Sequence, residues 1–97
     1  MTIRTKVSGV GDRVAAIRQR LEQALAPLEL EVRDDSQLHA GHEGARDGRG
    51  HFSVRVRAAA FTGEPRLARH RRVNAALADL FTNEIHALAI IALAPGE

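Results

Sequence analysis

The chain has 97 residues, enough for one compact domain with a modest core. It contains no cysteine, which excludes disulfides and thiolate metal ligands, and its net charge of +2 does not by itself demand a nucleic-acid partner. No apolar run is long enough to span a bilayer, and the N-terminus does not resemble a signal peptide. We therefore expect a cytoplasmic protein without membrane association. Residues 1–97 should form a single domain, with a flexible N-terminus over residues 1–11.

The first half of the chain predicts a helix followed by a strand. Asp12 is a candidate N-cap, and Pro27 ends the helix because the residue before a proline avoids helical backbone angles. Apolar residues recur between them at spacings of three and four: Val14, Ile17, Leu21 and Leu25. From residue 28 the period changes to two, which predicts a half-buried strand. Its inward-facing residues are Leu28, Leu30 and Val32.

A loop and a second strand follow. Residues 35–50 contain four glycines and almost no apolar side chains, which predicts a mobile loop. Phe52, Val54 and Val56 then alternate with polar residues. This pattern predicts a second strand that forms a hairpin with the first.

The last part of the chain predicts a second helix and a third strand. Pro65 lies at the start of the helix, whose predicted buried stripe consists of Leu67, Val73, Leu77, Leu80 and Phe81. The segment from Ile85 to Leu93 is apolar on both faces, so we expect a strand that is central or covered by helices. The order α-β-β-α-β predicts an α+β fold, with three strands and both helices on one face of the sheet.

Histidines are the candidate metal ligands. His86 begins the apolar third strand, and a neutral imidazole has a lone pair that can bind a metal. From the residues alone, a hydrogen-bonded strand-end histidine is the favoured interpretation. His39 and His42 lie in the glycine-rich loop, where Gly41 is unsuited to the helical spacing of a zinc hydrolase. No nucleophile–base pair is evident, so we do not expect an enzyme. His51 should point outward from its strand in a structural or incidental role.

A basic cluster on the second helix is the other candidate site. Its members are Arg66, Arg69, His70, Arg71 and Arg72. A solvated helix face is the ordinary interpretation. The cluster could also bind carboxylates of a partner through bidentate guanidinium contacts, or phosphates of a nucleic acid. No aromatic residue interleaves the arginines, which weakens the case for single-strand recognition.

Several segments together resemble the BolA-like protein family. They are Asp35-Ser36, His51-Phe52, Phe61-Thr62-Gly63, Arg69-His70-Arg71 and His86-Ala87-Leu88. The resemblance implies a class II KH-like fold with a three-stranded mixed sheet. It also implies a monothiol glutaredoxin partner, with its glutathione, that shares a [2Fe–2S] cluster with this chain. The implied ligands here are His86 and a loop histidine, His39 or alternatively His42. No cluster should bind the isolated chain tightly.

The resemblance allows two functions. The first is an accessory role in iron–sulfur cluster assembly, trafficking, or iron and redox regulation. The alternative is a nucleic-acid-binding transcriptional regulator that uses the basic second helix on DNA. Against this alternative, Gly63-Glu64-Pro65-Arg66 lacks the second glycine of the GxxG loop of nucleic-acid-binding KH domains. We expect the isolated protein to be a monomer or a weak homodimer.

Overall fold

The computed structural model describes residues 10–36 and 48–97. The helices and strands within them are α1 (Val10–Leu25), β1 (Glu29–Asp34), β2 (Gly50–Arg57), α2 (Arg66–Ala76) and β3 (Ile85–Leu93). Two short 3₁₀ helices, Ala59–Phe61 and Ala78–Phe81, flank α2. The predicted order α-β-β-α-β is therefore confirmed. No described helix combines the length and the apolar character that a bilayer crossing requires.

β2 is the central strand of a three-stranded sheet with the order β1-β2-β3. It pairs antiparallel with β1, where Val32 lies opposite Val54. It pairs parallel with β3, where Val54 lies opposite Ile90. The sheet is thus mixed, as predicted.

The position of β3 corrects one prediction. β3 is an edge strand rather than a central one, and it is covered on one face only. Leu88, Ile90 and Ala92 pack against the core, whereas the opposite face is exposed and Ile91 retains 55% of its accessible surface. The other exposed positions of β3 include Ala87 and Ala89. Alanine has so little apolar surface that its exposure costs little, so the apolar run overstated the burial of this strand.

The core lies between the helices and one face of the sheet. α1 contributes Ile17 and Leu21, and β2 contributes Phe52, Val54 and Val56, all of them buried. The buried residues of α2 and of the short segment after it are Val73, Leu77 and Leu80. These positions confirm most of the predicted apolar stripes. Each such side chain stabilises the fold by about 1.5–3 kcal/mol relative to an exposed position.

Leu28 was predicted to face the core but is 64% exposed. The cause is the turn after α1, where Ala26 has a φ of 45° and Pro27 follows. A left-handed residue just past the last helical residue is a common way to end a helix. Strand pairing begins one residue later, with Glu29 opposite Arg57, and the N–H of Leu28 donates to the Arg57 carbonyl at 2.8 Å, so Leu28 lies at the very end of the sheet.

Two details of the helices also differ from prediction. α1 begins at Val10, so Asp12 lies in its first turn and is not the N-cap. Leu67 is 62% exposed in the first turn of α2. Side chains of a helix share a face at spacings of three, four or seven, and the offset between Leu67 and the buried Val73 does not fit that period.

The predicted loop over residues 35–50 is described only at its ends. Asp35 and Ser36 follow β1, while Gly48 and Arg49 precede β2, which itself includes Gly50. His39 and His42 lie outside the described residues, as do residues 1–9 of the predicted flexible N-terminus.

Candidate metal centre

His86 lies where the two parallel strands begin. Parallel strands place their first residues at the same edge of a sheet, and Gly50 of β2 lies opposite Ile85 of β3. The next pair is His51 with Ala87, so the register shifts and His86 is an extra residue on β3. Ile85 is fully buried, whereas His86 is exposed. An irregularity of this kind redirects a side chain, and here it presents the imidazole at the rim of the sheet.

His51 lies beside His86. Their ring centroids are 5.1 Å apart and their planes are tilted by 45°. Only a structural or incidental role is predicted for His51 from the sequence, yet the fold brings the two imidazoles together. The parallel pairing of the second and third strands could have indicated this, because both histidines stand at the start of their strands.

Arg49 is a second neighbour that the sequence analysis did not single out. Its Nη1 donates to the backbone oxygen of Phe81 at 3.0 Å, and its Nη2 lies 3.1 Å from Nδ1 of His86. A guanidinium can only donate hydrogen bonds, so Nδ1 is the acceptor in this contact. In a neutral ring the hydrogen therefore sits on Nε2.

The first end of the loop is fixed against β2 next to His51. The backbone N–H of His51 donates to Oγ of Ser36 at 3.1 Å, and the N–H of Asp35 donates to the His51 carbonyl at 2.7 Å. The hydroxyl of Ser53 donates to the Asp35 carboxylate. The loop that carries His39 and His42 thus leaves the sheet beside the two described histidines.

The other end of the loop is fixed by α1 and by the turn before β3. Arg13 of α1 donates to the Gly48 carbonyl at 2.7 Å and forms an ion pair with Glu84 at 2.8 Å. The N–H of Gly50 donates to the Glu84 carbonyl at 3.0 Å. Both ends of the loop therefore converge on the rim that carries His86.

The described residues do not form a complete metal site by themselves. They contain no group of three or more histidine, cysteine, aspartate or glutamate side chains placed to hold a metal ion. They do place the exposed imidazole of His86 next to that of His51. Imidazole nitrogen is an accepted ligand of [2Fe–2S] centres. The exposed imidazole of His86 is a donor group of the kind that such a centre accepts.

The predicted basic cluster on α2 is divided by internal ion pairs. Arg69 has 12% of its side chain exposed, donates to the backbone oxygens of Glu64 and Ala92, and pairs with Glu97 at 2.5 Å. Arg72 donates to the carboxylate of Glu64 at 2.7 Å. The hydrogen bond from Arg72 lowers the pKa of Glu64, and that from Arg69 lowers the pKa of Glu97 to about 2. Two arginines of the cluster are thus engaged with carboxylates of the same chain.

The members of the cluster lie in two different surroundings. Arg66, Arg69 and His70 line a groove of about 370 Å³ between α2 and the end of β3, where residues 90–93 form the opposite wall. Arg71 is exposed and lies four residues after Leu67, so these two share a separate face of α2. The structure therefore does not present the five residues as one continuous basic surface.

The fold and the histidine at its rim define an α+β domain of a known class. Residues 21–97 match the family described as BolA-like protein. The match covers all three strands, α2 and the end of α1, so the chain belongs to the BolA-like family. The family predicted from the sequence is confirmed.

Curated relatives support this assignment. The chain is 44% identical to BolA-like protein 1 of Homo sapiens over 88 residues, which cover 91% of this chain and 62% of that protein. It is 41% identical over 98 residues to SufE-like protein 1, chloroplastic/mitochondrial, of Arabidopsis thaliana, covering 96% of this chain but 26% of that protein. The chain thus spans less than two thirds of either relative. It is also 40% identical over 74 residues to the DNA-binding transcriptional regulator BolA of Vibrio cholerae, covering 76% and 67% of the two chains.

Solved structures have the same fold. The BolA domain of SufE1 from Arabidopsis thaliana aligns with a TM-score of 0.77 at 39% identity, covering 90% of this chain and 96% of that one. The solution structure of BolA1 from Mus musculus aligns with a TM-score of 0.71 at 39% identity, covering 98% and 77%. These similarities confirm the predicted BolA-like α+β fold.

Proposed function

We propose that this protein is an iron–sulfur accessory protein that binds a monothiol glutaredoxin and shares a [2Fe–2S] cluster with it. His86 supplies one ligand, and a loop histidine, His39 or alternatively His42, supplies a second. The role lies in cluster assembly, trafficking, or iron and redox regulation, and it is accessory rather than catalytic. The observation that carries the proposal is the exposed imidazole of His86 at the rim where both ends of the loop are fixed.

The tether of the loop favours His39 over His42. An extended chain spans at most about 3.6 Å per residue, which keeps the Cα of His39 within about 11 Å of the Cα of Ser36. Ser36 itself is hydrogen-bonded to the backbone of His51, the neighbour of His86. His42 is twice as many residues from Ser36 as His39 is, so its range around that anchor is wider and its local concentration there is lower.

The chemistry of the ligands also supports a shared cluster. This chain has no cysteine, so the sulfur ligands must come from the partner's cysteine and from glutathione. Replacing thiolate by imidazole on one iron raises the reduction potential of a [2Fe–2S] centre. The occurrence of a BolA domain within a relative named SufE-like protein 1 is consistent with an iron–sulfur role.

The test is a titration of this protein into a monothiol glutaredoxin loaded with a [2Fe–2S] cluster and glutathione. Visible absorption and circular dichroism should change in a saturable way near one equivalent. The His86→Ala variant should fold normally, because the side chain is exposed, and should not produce this change. Gln19→Ala, at an exposed position of α1 outside the candidate sites, is the control and should behave like the wild type.

The same titration identifies the second ligand. We expect His39→Ala to alter the spectrum of the complex and His42→Ala to leave it unchanged. His51→Ala is included because its ring lies 5.1 Å from that of His86. If the wild type and His86→Ala give the same spectrum with a glutaredoxin that holds its cluster, the proposed function is ruled out.

A second candidate function is supported by the exposed face of α2. Arg71 is exposed there, and Arg66 lines the groove beside β3. The relative from Vibrio cholerae carries the name of a DNA-binding transcriptional regulator. Phosphate contacts by such arginines would give binding that weakens steeply with salt.

The second candidate has its own test. Affinity for duplex DNA should fall on Arg66→Ala or Arg71→Ala, and each change should reduce the slope of log affinity against log salt by about one. Arg72→Lys keeps its charge and serves as the control. Affinity that survives both alanine substitutions would rule out this surface. The cytoplasmic location and the monomeric or weakly dimeric state stay predictions.

A further inference from the structure

Arg49 contacts a ring nitrogen of His86, and a ring nitrogen is the group that would bind a metal. The two Nη groups of the guanidinium make separate contacts, one to the Phe81 carbonyl at 3.0 Å and one to Nδ1 of His86 at 3.1 Å. Phe81 ends the second 3₁₀ helix, so the first contact ties the side chain to a fixed element. The second contact occupies a lone pair of the imidazole, which is the group that coordinates a metal.

We propose that Arg49 is a positioning residue that guards His86 and must release it before His86 can become a ligand. This inference rests on the proposed function, because it concerns how the same histidine becomes available to the shared cluster. Arg49 keeps the ring hydrogen on Nε2 while the glutaredoxin is absent. Binding of the partner with its cluster then competes with the Arg49 contact.

The competition holds for either ring nitrogen. Coordination through Nδ1 uses the lone pair that Arg49 now occupies, so the guanidinium must leave. Coordination through Nε2 requires the ring hydrogen to move to Nδ1, where it would face an N–H of Arg49. Two donors cannot share a hydrogen bond, so this route also breaks the contact.

The backbone around Arg49 can stay in place while the side chain moves. The carbonyl of Gly48 accepts from Arg13, and the N–H of Gly50 donates to the Glu84 carbonyl. The flanking residues are therefore anchored independently of the guanidinium. Release of His86 requires only side-chain rotation, which is fast compared with opening of a strand.

Charge must be separated from hydrogen bonding in the test. Removing Arg49 altogether also removes a positive charge near an anionic cluster, which would weaken binding. Arg49→Lys keeps the charge but replaces the planar fork by a single ammonium group, which is a point donor on a flexible stem. Arg72→Lys makes the same change at the pair with Glu64 and is the matched control.

The first measurement is the hydrogen position on the His86 ring in the full chain without partner. Long-range proton–nitrogen NMR correlations of the imidazole, recorded near pH 8 where an ordinary histidine is neutral, report it directly. The wild type and Arg72→Lys should carry the hydrogen on Nε2. Arg49→Lys should show a mixture of both tautomers. A wild-type ring with its hydrogen on Nδ1 would overturn the proposal.

The second measurement is the titration into [2Fe–2S]-loaded monothiol glutaredoxin, followed by visible circular dichroism. Arg49→Lys should lower the concentration of half-saturation by about three- to tenfold, as expected for loss of one competing hydrogen bond. Arg72→Lys should leave it unchanged. Equal half-saturation for wild type and Arg49→Lys would overturn the guarding role.

The two measurements distinguish this inference from the proposed function. If His86→Ala produces the same spectral change as the wild type, His86 is not a ligand. Both the shared-cluster function and the guarding role of Arg49 are then ruled out. If His86→Ala abolishes the change while Arg49→Lys alters neither the tautomer nor the half-saturation, His86 is a ligand and Arg49 does not guard it.

Discussion

The arginines at the two ends of β2 have different kinds of partner. Just before the strand, Arg49 contacts a backbone carbonyl and the ring of His86. At its last residue, Arg57 pairs with Glu29 at 3.1 Å and donates to the backbone oxygens of Ala94 and Glu97. An imidazole that accepts a hydrogen bond from an arginine can give up that bond and use the same lone pair to bind a metal. The contacts of Arg57 with one carboxylate and two backbone oxygens instead hold the strand ends together.

The ionisation of the glutamates reflects this difference. The hydrogen bond from Arg57 lowers the pKa of Glu29, and that from Arg69 lowers the pKa of Glu97 to about 2. Arg69 completes the group with its contact to the Ala92 carbonyl. We call the residues Arg57, Arg69 and Glu97 the closed corner, and the rim around His86 the open rim. Arginine content alone therefore does not reveal which end of β2 is available for binding.

Replacing the buried phenylalanine near either end of β2 by alanine should have the largest effect on stability. Phe52 is 2% exposed and lies under the open rim, and Phe61 is fully buried near the closed corner. Replacing either by alanine should cost about 3–5 kcal/mol, because both lie in one continuous core. Urea denaturation measures the change. A loss well below 1 kcal/mol at one position would show that the two ends do not share a core.

Much of the fold could be predicted because its determinants are local. The bounds of β3, Ile85–Leu93, follow from a run that is apolar apart from His86 and that comes after a polar break. The alternation of Phe52, Val54 and Val56 correctly placed these residues in the core. The edge position of β3 could not be obtained in this way, because strand order depends on contacts between distant segments.

The candidate site was predictable in part for the same reason. His86 was found from its place in the sequence and from the family pattern. The neighbours Arg49 and His51 depend on the register between β2 and β3 and on the shift at His86, which no local pattern encodes. The division of the basic cluster depends on Glu64 and Glu97, which reach Arg72 and Arg69 only in the folded chain.

Two glycine-to-alanine substitutions, one near each end of β2, should destabilise the fold for different physical reasons. A Cβ at Gly50 would lie 2.7 Å from the Phe52 ring and 2.9 Å from Oγ of Ser36, so the substitution overpacks the open rim. We expect a cost of about 1–3 kcal/mol. Gly63, near the closed corner, has a φ of 78° and open space around its Cα, so alanine there costs only about 1 kcal/mol of backbone strain.

Thermal and urea unfolding of both glycine variants check this difference. Gly50→Ala should also change the glutaredoxin titration, because displacement of Ser36 moves the anchored start of the loop. Gly63→Ala should leave that titration as in the wild type. Equal stability losses, or an effect of Gly63→Ala on the titration, would argue against the separation of the two ends.

The smallest expected effect is the pH dependence of the closed corner. Glu97 has a pKa of about 2 in the folded protein, below its ordinary value of 4.5, because Arg69 and the N–H of Ala94 bind its ionised form. A carboxyl with a lowered pKa stabilises the fold above pH 4.5, and this contribution is lost as the pH falls toward 2. Glu97→Gln should therefore be less stable than the wild type at neutral pH, and the difference should disappear as the pH falls below 2.

Urea denaturation at several pH values, with and without added salt, tests this expectation. The side chain of Glu97 is 45% exposed, so salt should shrink the difference at neutral pH. Glu22→Gln is the matched control, because its contact with Arg18 is a longer, exposed pair at 3.6 Å within α1. If Glu97→Gln unfolds like the wild type at neutral pH and low salt, the ion pair with Arg69 does not stabilise the closed corner. Arg69 would then be as available to a partner as Arg66, and the contrast between the two ends of β2 would be lost.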